Sequence, residues 1–139
     1  MTNQVLLIGR VGAAPEIRSL SNGSKVASFS VATEERWKDR QSGERKSRTE
    51  WHRVETFVPG TVKFLEDYVG KGDLVKVQGM LRTEEFEAQG VKKRATKIVV
   101  GGRMATIDLL TSAKPNGQGQ AAEKASQDQG ADLDDEIPF

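Results

Sequence analysis

Short apolar or alternating runs, separated by turns that contain glycine, fill the first 110 residues and constrain the fold more than any other feature. Such runs are typical of strands, and turn residues between them favour antiparallel connections. The expected strands span residues 5–8, 26–37, 48–58, 74–86, 91–100 and 104–110, with a weaker continuation at 17–20. Val62, Leu65 and Val69 have helical spacing. The pattern predicts an all-β domain with one short helix.

The position of the helix narrows the choice of architecture. Five or so strands with a helix between the third and the fourth is the order of the OB-fold, a small, partly closed barrel. Strand spacing alone also fits another small barrel or a sandwich. We expect a five-stranded OB-fold over residues 1–110.

The composition changes at Thr111. No aliphatic side chain larger than alanine follows until Leu133, so we expect residues 111–131 to be a disordered linker. Residues 111–139 carry a formal charge of −4 and residues 1–110 a charge of +5. A basic body with an acidic tail suggests a domain that binds a polyanion and an appendage that acts separately.

Several classes of protein are disfavoured by what the sequence lacks. It contains no cysteine and one histidine, which excludes disulfides, thiolate-bound zinc and a cysteine nucleophile. No recognisable set of nucleophile and base, or of metal ligands, is present, so we expect a protein that is not an enzyme and needs no cofactor. No apolar run approaches the roughly 18 residues of a membrane span, and the start lacks the basic residues of a signal peptide.

The segment 36–53 combines seven cations with both tryptophans of the chain. Cations attract phosphates, and tryptophan faces accept stacked bases. Alternation in a strand would place Trp51, Arg53, Glu55 and Phe57 on one face, and His52, Val54, Thr56 and Val58 on the other, better core face. Trp37 and Trp51 are therefore candidate stacking residues, with ordinary core packing as the alternative.

Phe86 lies among polar residues near a hairpin turn at 88–90, as an exposed stacking residue would. It could equally pack under its own hairpin, and Glu84 on the same face would repel phosphate. We place Phe29, Phe64 and Tyr68 in the core. The candidate phosphate contacts, each weak alone, are Arg10, Arg18, Lys25, Arg53, Lys71 and Arg82.

The chain ends in a separate motif of apolar residues behind acids, in residues 132–139. Proline stiffens the end, Phe139 can fill a pocket, and the carboxylates can meet a basic rim, so we expect a peptide that docks on other proteins. Its candidate docking residues are Asp134, Asp135, Glu136, Ile137, Pro138 and Phe139.

These motifs together resemble the bacterial single-stranded DNA-binding protein family. The resemblance runs through the opening 3–12 and 15–18, the segment Thr49-Glu50-Trp51-His52-Arg53-Val54, residues 79–83 and the acidic Ile-Pro-Phe end. It implies an OB-fold that binds single-stranded DNA without sequence preference in replication, recombination and repair. It also implies a cytoplasmic, nucleoid-associated homotetramer.

The same resemblance implies roles for individual residues. The stacking aromatics of the family fall here on Trp37, Trp51, Phe57 and Phe86, and His52 falls at a subunit interface. The final Pro-Phe would recruit enzymes of genome maintenance. This chain departs from many members by carrying Glu84 and Glu85 beside the fourth aromatic, and Glu55 adds an acid to the presumed DNA face.

Other functions fit parts of the sequence. A primosomal or RNA-binding OB protein would share the barrel but lack the acidic Ile-Pro-Phe end. A pure interaction hub would display the tail and lose nothing when Trp51 is replaced. The opposite charges of body and tail also predict that the tail competes weakly with DNA, so that deletion of residues 132–139 would raise DNA affinity mainly at low salt.

Overall fold

The structure is a computed structural model and describes residues 1–113, which form seven strands and one helix. In chain order these are β1 (Val5–Val11), β2 (Glu16–Ser19), β3 (Lys25–Lys38), β4 (Arg45–Thr56), α1 (Pro59–Tyr68), β5 (Leu74–Ala88), β6 (Val91–Val100) and β7 (Thr106–Thr111).

Five of the strands close into a barrel. Hydrogen bonding runs from β1 to β3, β4, β6 and β5, and β5 pairs with β1 to complete the ring. The pairs are antiparallel except β4 with β6, which are parallel over three residue pairs from Val54↔Ile98 to Thr56↔Val100. β2 adds to β3, and β7 adds to β5. With α1 between β4 and β5, this arrangement confirms the expected OB-fold.

Glycines permit the closest approaches in the closed barrel. A Cβ on Gly9 would lie 2.2 Å from the carbonyl oxygen of Ala32, and a Cβ on Gly79 would lie 2.5 Å from that of Val99. Both distances are too short for any side chain, so a larger residue would push neighbouring strands apart at these points.

The core fills the barrel with alternate residues of its strands. Val31, Val54, Val75 and Val77 are fully buried. α1 contributes Leu65 and the nearly buried Val62 to the same cluster. Alternation in the strands and helical spacing in α1 together produce one continuous apolar interior.

Several sequence-based expectations differ from the structure. Residues 16–19 form a separate strand, β2, rather than a continuation of the first. β4 starts at Arg45 instead of residue 48, because the basic segment pairs with β3 as far as Lys38↔Arg45. Tyr68 is not in the core: its side chain is 66% exposed and its ring contacts the half-buried Phe64.

The described chain ends against the barrel. Asp73, in the loop before β5, is buried and accepts hydrogen bonds from the backbone N–H groups of Gly70 and Ala113, at 2.8 and 2.7 Å. Residues 114–139 lie outside the described residues, and with them most of the predicted linker and all of the predicted docking peptide. Within residues 1–113, no helix is long and apolar enough to cross a membrane.

Candidate nucleic-acid interface

The outer face of β4 carries the most exposed aromatic of the basic segment. Trp51 is 61% exposed, and its cross-strand neighbour on β3 is the small Ala32. Ala32 in turn pairs with Arg10 of β1, so Arg10, Ala32 and Trp51 form one row across three strands. Arg53 follows two residues after Trp51 and therefore projects from the same face. The face thus offers an indole ring with guanidinium groups close to it.

The Trp51 ring lies against Gly12, where a side chain would leave it no room. A Cβ on Gly12 would lie 2.5 Å from Cζ3 of the Trp51 ring and 2.9 Å from Oγ of Ser30. The ring therefore packs directly over the backbone that follows β1. The groove beside it is lined by Ala13, Ala14, Ser28, Ser30, Trp51 and Arg53, among others.

We expect Gly12→Ala to displace the Trp51 ring and to weaken binding of single-stranded oligonucleotides roughly threefold to tenfold, as part of one stacking contact is lost. The maximum of tryptophan emission should shift as well. Fluorescence spectra and titrations of the variant would measure both effects. Gly60→Ala is the matched control, because a Cβ on Gly60 meets nothing within 4 Å; an equal loss of affinity in that variant would contradict the role of Gly12.

Trp37 lies on the arm formed by the ends of β3 and β4, and it is half exposed. It pairs with Lys46, whereas Trp51 pairs with Ala32. Because five positions separate Ala32 from Trp37 and the register has no break, the two tryptophans project from opposite faces of the two-stranded ribbon.

The seven cations of segment 36–53 are not equally available to a ligand, because some of them form ion pairs. Lys46 binds Asp39 at 2.8 Å, Arg36 binds Glu34 at 2.9 Å and Arg48 binds Glu50 at 2.6 Å. The hydrogen bond from Lys46, with that from the backbone N–H of Gln41, holds the pKa of Asp39 below its usual value. Ion pairs within the arm thus reduce the charge that it presents to a ligand.

Phe86 lies on β5 and is 46% exposed, so it does not pack fully under its hairpin. Arg82, Glu84 and Phe86 share one face of β5, and the register places Lys97 of β6 directly opposite Arg82. Arg53, Phe86 and Lys97 line one cleft. Because Arg53 also lines the groove of Trp51, the outer surface is continuous from Trp51 to Phe86.

The acids expected to oppose DNA on this face are paired. Glu55 is buried, against the expectation that it would be exposed, and binds Nζ of Lys97 at 2.5 Å and the guanidinium of Arg18 at 3.7 Å. Glu84 also binds Nζ of Lys97, at 2.8 Å. Glu85 binds Arg94 at 2.9 Å. The parallel pairing of β4 with β6 brings Glu55 next to Lys97, which strand alternation alone did not predict.

The ion pairs shift the pKa values of Lys97 and Glu84. Burial opposes the charged form of the Lys97 ammonium, but hydrogen bonds and charges of Glu55 and Glu84 outweigh it and raise its pKa. The hydrogen bond from Lys97 lowers the pKa of Glu84. Lys97 and Glu84 are therefore both charged at neutral pH.

The structure separates the six candidate phosphate contacts. Arg10, Arg18, Arg53 and Arg82 lie on or beside the surface between Trp51 and Phe86, although Arg10 also donates to the carbonyl oxygen of Gly72 at 3.0 Å. Lys71 lies in the loop before β5. Lys25 lies in a groove with Pro59 and Lys63 at the start of α1.

Phe57 and His52 flank this surface in different ways. Phe57 follows the end of β4 directly and is 42% exposed. His52 faces the opposite side of β4 from Trp51, is half buried, and shares a hydrogen bond of 2.7 Å with Oγ1 of Thr33. Its place at a subunit interface stays a prediction.

Lys97 is the functional candidate that the sequence analysis missed. The sequence contains the information needed to find it. In a hairpin whose turn is centred on Gln89 and Gly90, the residue opposite Arg82 is Lys97. Gln89 and Gly90 have φ values of 54° and 77°, as a tight hairpin turn requires.

Comparison with known proteins adds independent information on the chain. Residues 2–108 match the profile of the "Single-strand binding protein family". A "Single-stranded DNA-binding protein" of Rickettsia felis is 42% identical over 148 aligned positions, covering 99% of this chain and 97% of the relative. One from Rhizobium meliloti is 40% identical and covers 92% of this chain and 73% of the relative.

Two solved structures have the same fold. The Plasmodium falciparum SSB complex with ssDNA superimposes with a TM-score of 0.72 at 39% identity, covering 79% of this chain and 96% of that one. A deletion mutant of the single-stranded DNA binding protein from Thermus aquaticus gives a TM-score of 0.64 at 28% identity, covering 81% of this chain and 52% of that one.

Proposed function

The chain belongs to the single-strand binding protein family, and on this basis we propose that it binds single-stranded DNA without sequence preference. The proposed activity is binding and protection of the strand, with no chemical step and no cofactor. The named relatives and the structural neighbour solved with ssDNA support this assignment.

The observation that carries the proposal is the exposed Trp51 ring beside Arg53, with Phe86 farther along the same surface. Every base has a π-face, so stacking on such rings is tolerant of sequence, and guanidinium groups between the rings can meet the phosphates. Duplex DNA keeps its bases stacked on each other and cannot use these rings.

The positions of the aromatics also suggest a path. Trp37 and Trp51 project from opposite faces of the β3–β4 ribbon, so a strand that stacks on both must pass round the edge of that ribbon. Phe57 and Phe86 would provide further stacking positions at the other side of Arg53. Arg10, Arg18, Arg53 and Arg82 are the proposed phosphate contacts nearest to this path, and Lys25 and Lys71 would act only on longer strands.

Titration of intrinsic tryptophan fluorescence with oligo(dT) tests the proposal, with duplex DNA as the control and two salt concentrations. Strong quenching by the single strand alone is expected. The logarithm of the binding constant should fall with the logarithm of salt concentration, by about 0.7 per phosphate contact. Absence of quenching by either DNA would overturn the proposal and favour a hub that only displays its tail.

We also propose that the chain assembles as a homotetramer. Leu6 and Ile8 project outward from β1 and are more than half exposed. In the part of the chain that the structure describes, β1 pairs with β3 only at Arg10 and Val11, so most of one β1 edge is open to a second copy. An open edge beside exposed leucine and isoleucine favours association. His52 would lie at a subunit interface, as the family resemblance implies.

The proposed cellular roles are in DNA replication, recombination and repair, in the cytoplasm at the nucleoid. There the acidic C-terminal peptide would recruit partner proteins through Asp134, Asp135, Glu136, Ile137, Pro138 and Phe139. An aromatic side chain at a chain end, with acids before it, suits a small apolar pocket with a basic rim.

Phe139→Ala in the full chain is expected to abolish most partner recruitment while ssDNA affinity changes less than twofold. The physical reason is that the anchor of a short peptide contributes most of its binding energy. Pull-down of DNA-maintenance enzymes from a bacterial extract, together with oligo(dT) titration, would measure the two effects. Gln127→Ala in the predicted linker is the control, and equal recruitment by both variants would contradict the role of the peptide.

A further inference from the structure

A strand that runs from Trp51 to Phe86 must cross a partly buried group of charges. Arg53 and Lys97 line the same cleft, each one residue before the parallel pair Val54↔Ile98, and Glu84 lies between Arg82 and Phe86 on β5. We call Arg18, Glu55, Glu84 and Lys97 the Lys97 cluster. It therefore lies under the middle of the surface proposed for ssDNA.

The two carboxylates that bind Lys97 differ in their access to solvent. The side chain of Glu55 is 6% exposed and that of Lys97 is 12% exposed, whereas the side chain of Glu84 is 53% exposed. Both carboxylates bind the same Nζ atom, at 2.5 and 2.8 Å. Glu55 is thus the fixed partner, and Glu84 is the partner that can turn away into water.

The charges of the cluster permit an exchange of ligands. Arg18 and Lys97 balance Glu55 and Glu84, so the cluster is neutral as it stands. A phosphodiester carries one negative charge, the same as the carboxylate of Glu84. Replacing that carboxylate by a phosphate oxygen leaves the cluster neutral and gives the ammonium one acceptor for the one that it loses.

We propose that Lys97 is a phosphate-binding residue that Glu84 covers in the unbound protein, and that a backbone phosphate of bound ssDNA takes the place of the Glu84 carboxylate. Glu55 and Arg18 keep the ammonium aimed at the surface during the exchange. The inference rests on the proposed function, since the phosphate belongs to the single strand that crosses from Trp51 to Phe86.

The exchange has a signature in the salt dependence. A phosphate that binds Lys97 releases counterions from DNA, but the displaced Glu84 carboxylate takes up a cation from solution. The two effects cancel, so this contact contributes little to the salt slope of the wild-type protein. Without the carboxylate only the release remains, and the slope should grow by about 0.7, the value of one single-strand contact.

The test compares Glu84→Gln with Glu85→Gln in oligo(dT) titrations over a salt series. Glu85 is the matched control, because it is the next residue, is similarly exposed and also has one ion pair, but with Arg94 on the opposite face of the hairpin. We expect Glu84→Gln to bind ~3–5-fold more tightly at low salt, the range that loss of one exposed competing ion pair allows. We expect Glu85→Gln to keep the wild-type slope.

Other outcomes would overturn the inference. Equal gains and equal slopes in the two variants would mean that only general charge repulsion was relieved. An unchanged or weaker affinity of Glu84→Gln would mean that Lys97 meets no phosphate. Adding Lys97→Gln to Glu84→Gln should remove the gain; if that double variant does not fold, as judged by circular dichroism, the slopes of the two single variants still decide.

The proposed function is tested separately by the wild-type protein. Quenching of wild-type fluorescence by oligo(dT) supports ssDNA binding whatever the glutamate variants do. If the wild type binds but the slopes of the variants are equal, only the role of Lys97 fails.

Discussion

Trp51→Ala is expected to lower the affinity for single-stranded DNA about 5-fold to 150-fold, because one base–aromatic stack contributes roughly 1–3 kcal/mol. The side chain is mostly exposed and packs over Gly12 at the surface, so the melting temperature should change little. Fluorescence anisotropy of a labelled oligo(dT) is the suitable measurement, because it does not depend on the tryptophan that is removed.

Tyr68→Ala is the matched control for this experiment. Tyr68 is an aromatic residue of similar exposure, but it lies on α1 and contacts Phe64. Its removal should leave the affinity for oligo(dT) within twofold of wild type. If both variants lost affinity equally, or if Trp51→Ala lost none, the surface around Trp51 would not be the binding site, and the interaction-hub function would be favoured.

Leu65→Ala is expected to lower the free energy of unfolding by about 2–5 kcal/mol, the range for removing a fully buried leucine. Leu65 is 0% exposed and joins α1 to the core of the barrel. For a domain of this size the loss corresponds to a fall of roughly 10–20 °C in the melting temperature. Thermal and urea unfolding followed by circular dichroism would measure it.

The adjacent variant Glu66→Ala is the control, since Glu66 is exposed and no core contact is lost. It should change the free energy of unfolding by less than about 0.5 kcal/mol. At a temperature where both variants are folded, each should bind oligo(dT) as the wild type does, because α1 lies apart from the surface between Trp51 and Phe86. A large loss of affinity in folded Leu65→Ala would instead place α1 in the binding site.

Local patterns were sufficient for most of the fold. The alternation in 26–37 predicted β3, and the turn at residues 88–90 predicted the β5–β6 hairpin. Both signals concern neighbours in the chain, where period and turn chemistry act directly. Pro59 directly follows the expected strand 48–58, and α1 begins there because proline suits the first turn of a helix.

The two wrong expectations concern the burial of Tyr68 and of Glu55, which depends on how α1, β6 and β2 pack in the folded barrel. Helical spacing predicts Tyr68 in the core, but α1 turns only the side of Val62 and Leu65 inward, and Tyr68 stays 66% exposed beside Phe64. Alternation predicts that Glu55 lies on the outer face of β4, the same face as Trp51. The side chain is nevertheless buried, because β6 and Arg18 cover it there. Neither covering element is near in sequence, so no local pattern could reveal it.

The order of residues along the chain is enough to predict the chemistry of the surface: indole rings beside guanidinium groups on an alternating strand, which suit bases and phosphates. It also favours the strands, the hairpin turn and the helix, because strand periods, turn residues and helical spacing are local properties. Which charges are available to a ligand depends instead on contacts that form in the folded barrel. The parallel closure of β4 on β6 brings Glu55 to Lys97, which the β5–β6 hairpin already places beside Glu84. Ion pairing depends on distances of a few ångströms between residues far apart in the chain, and these distances exist only once the barrel has closed.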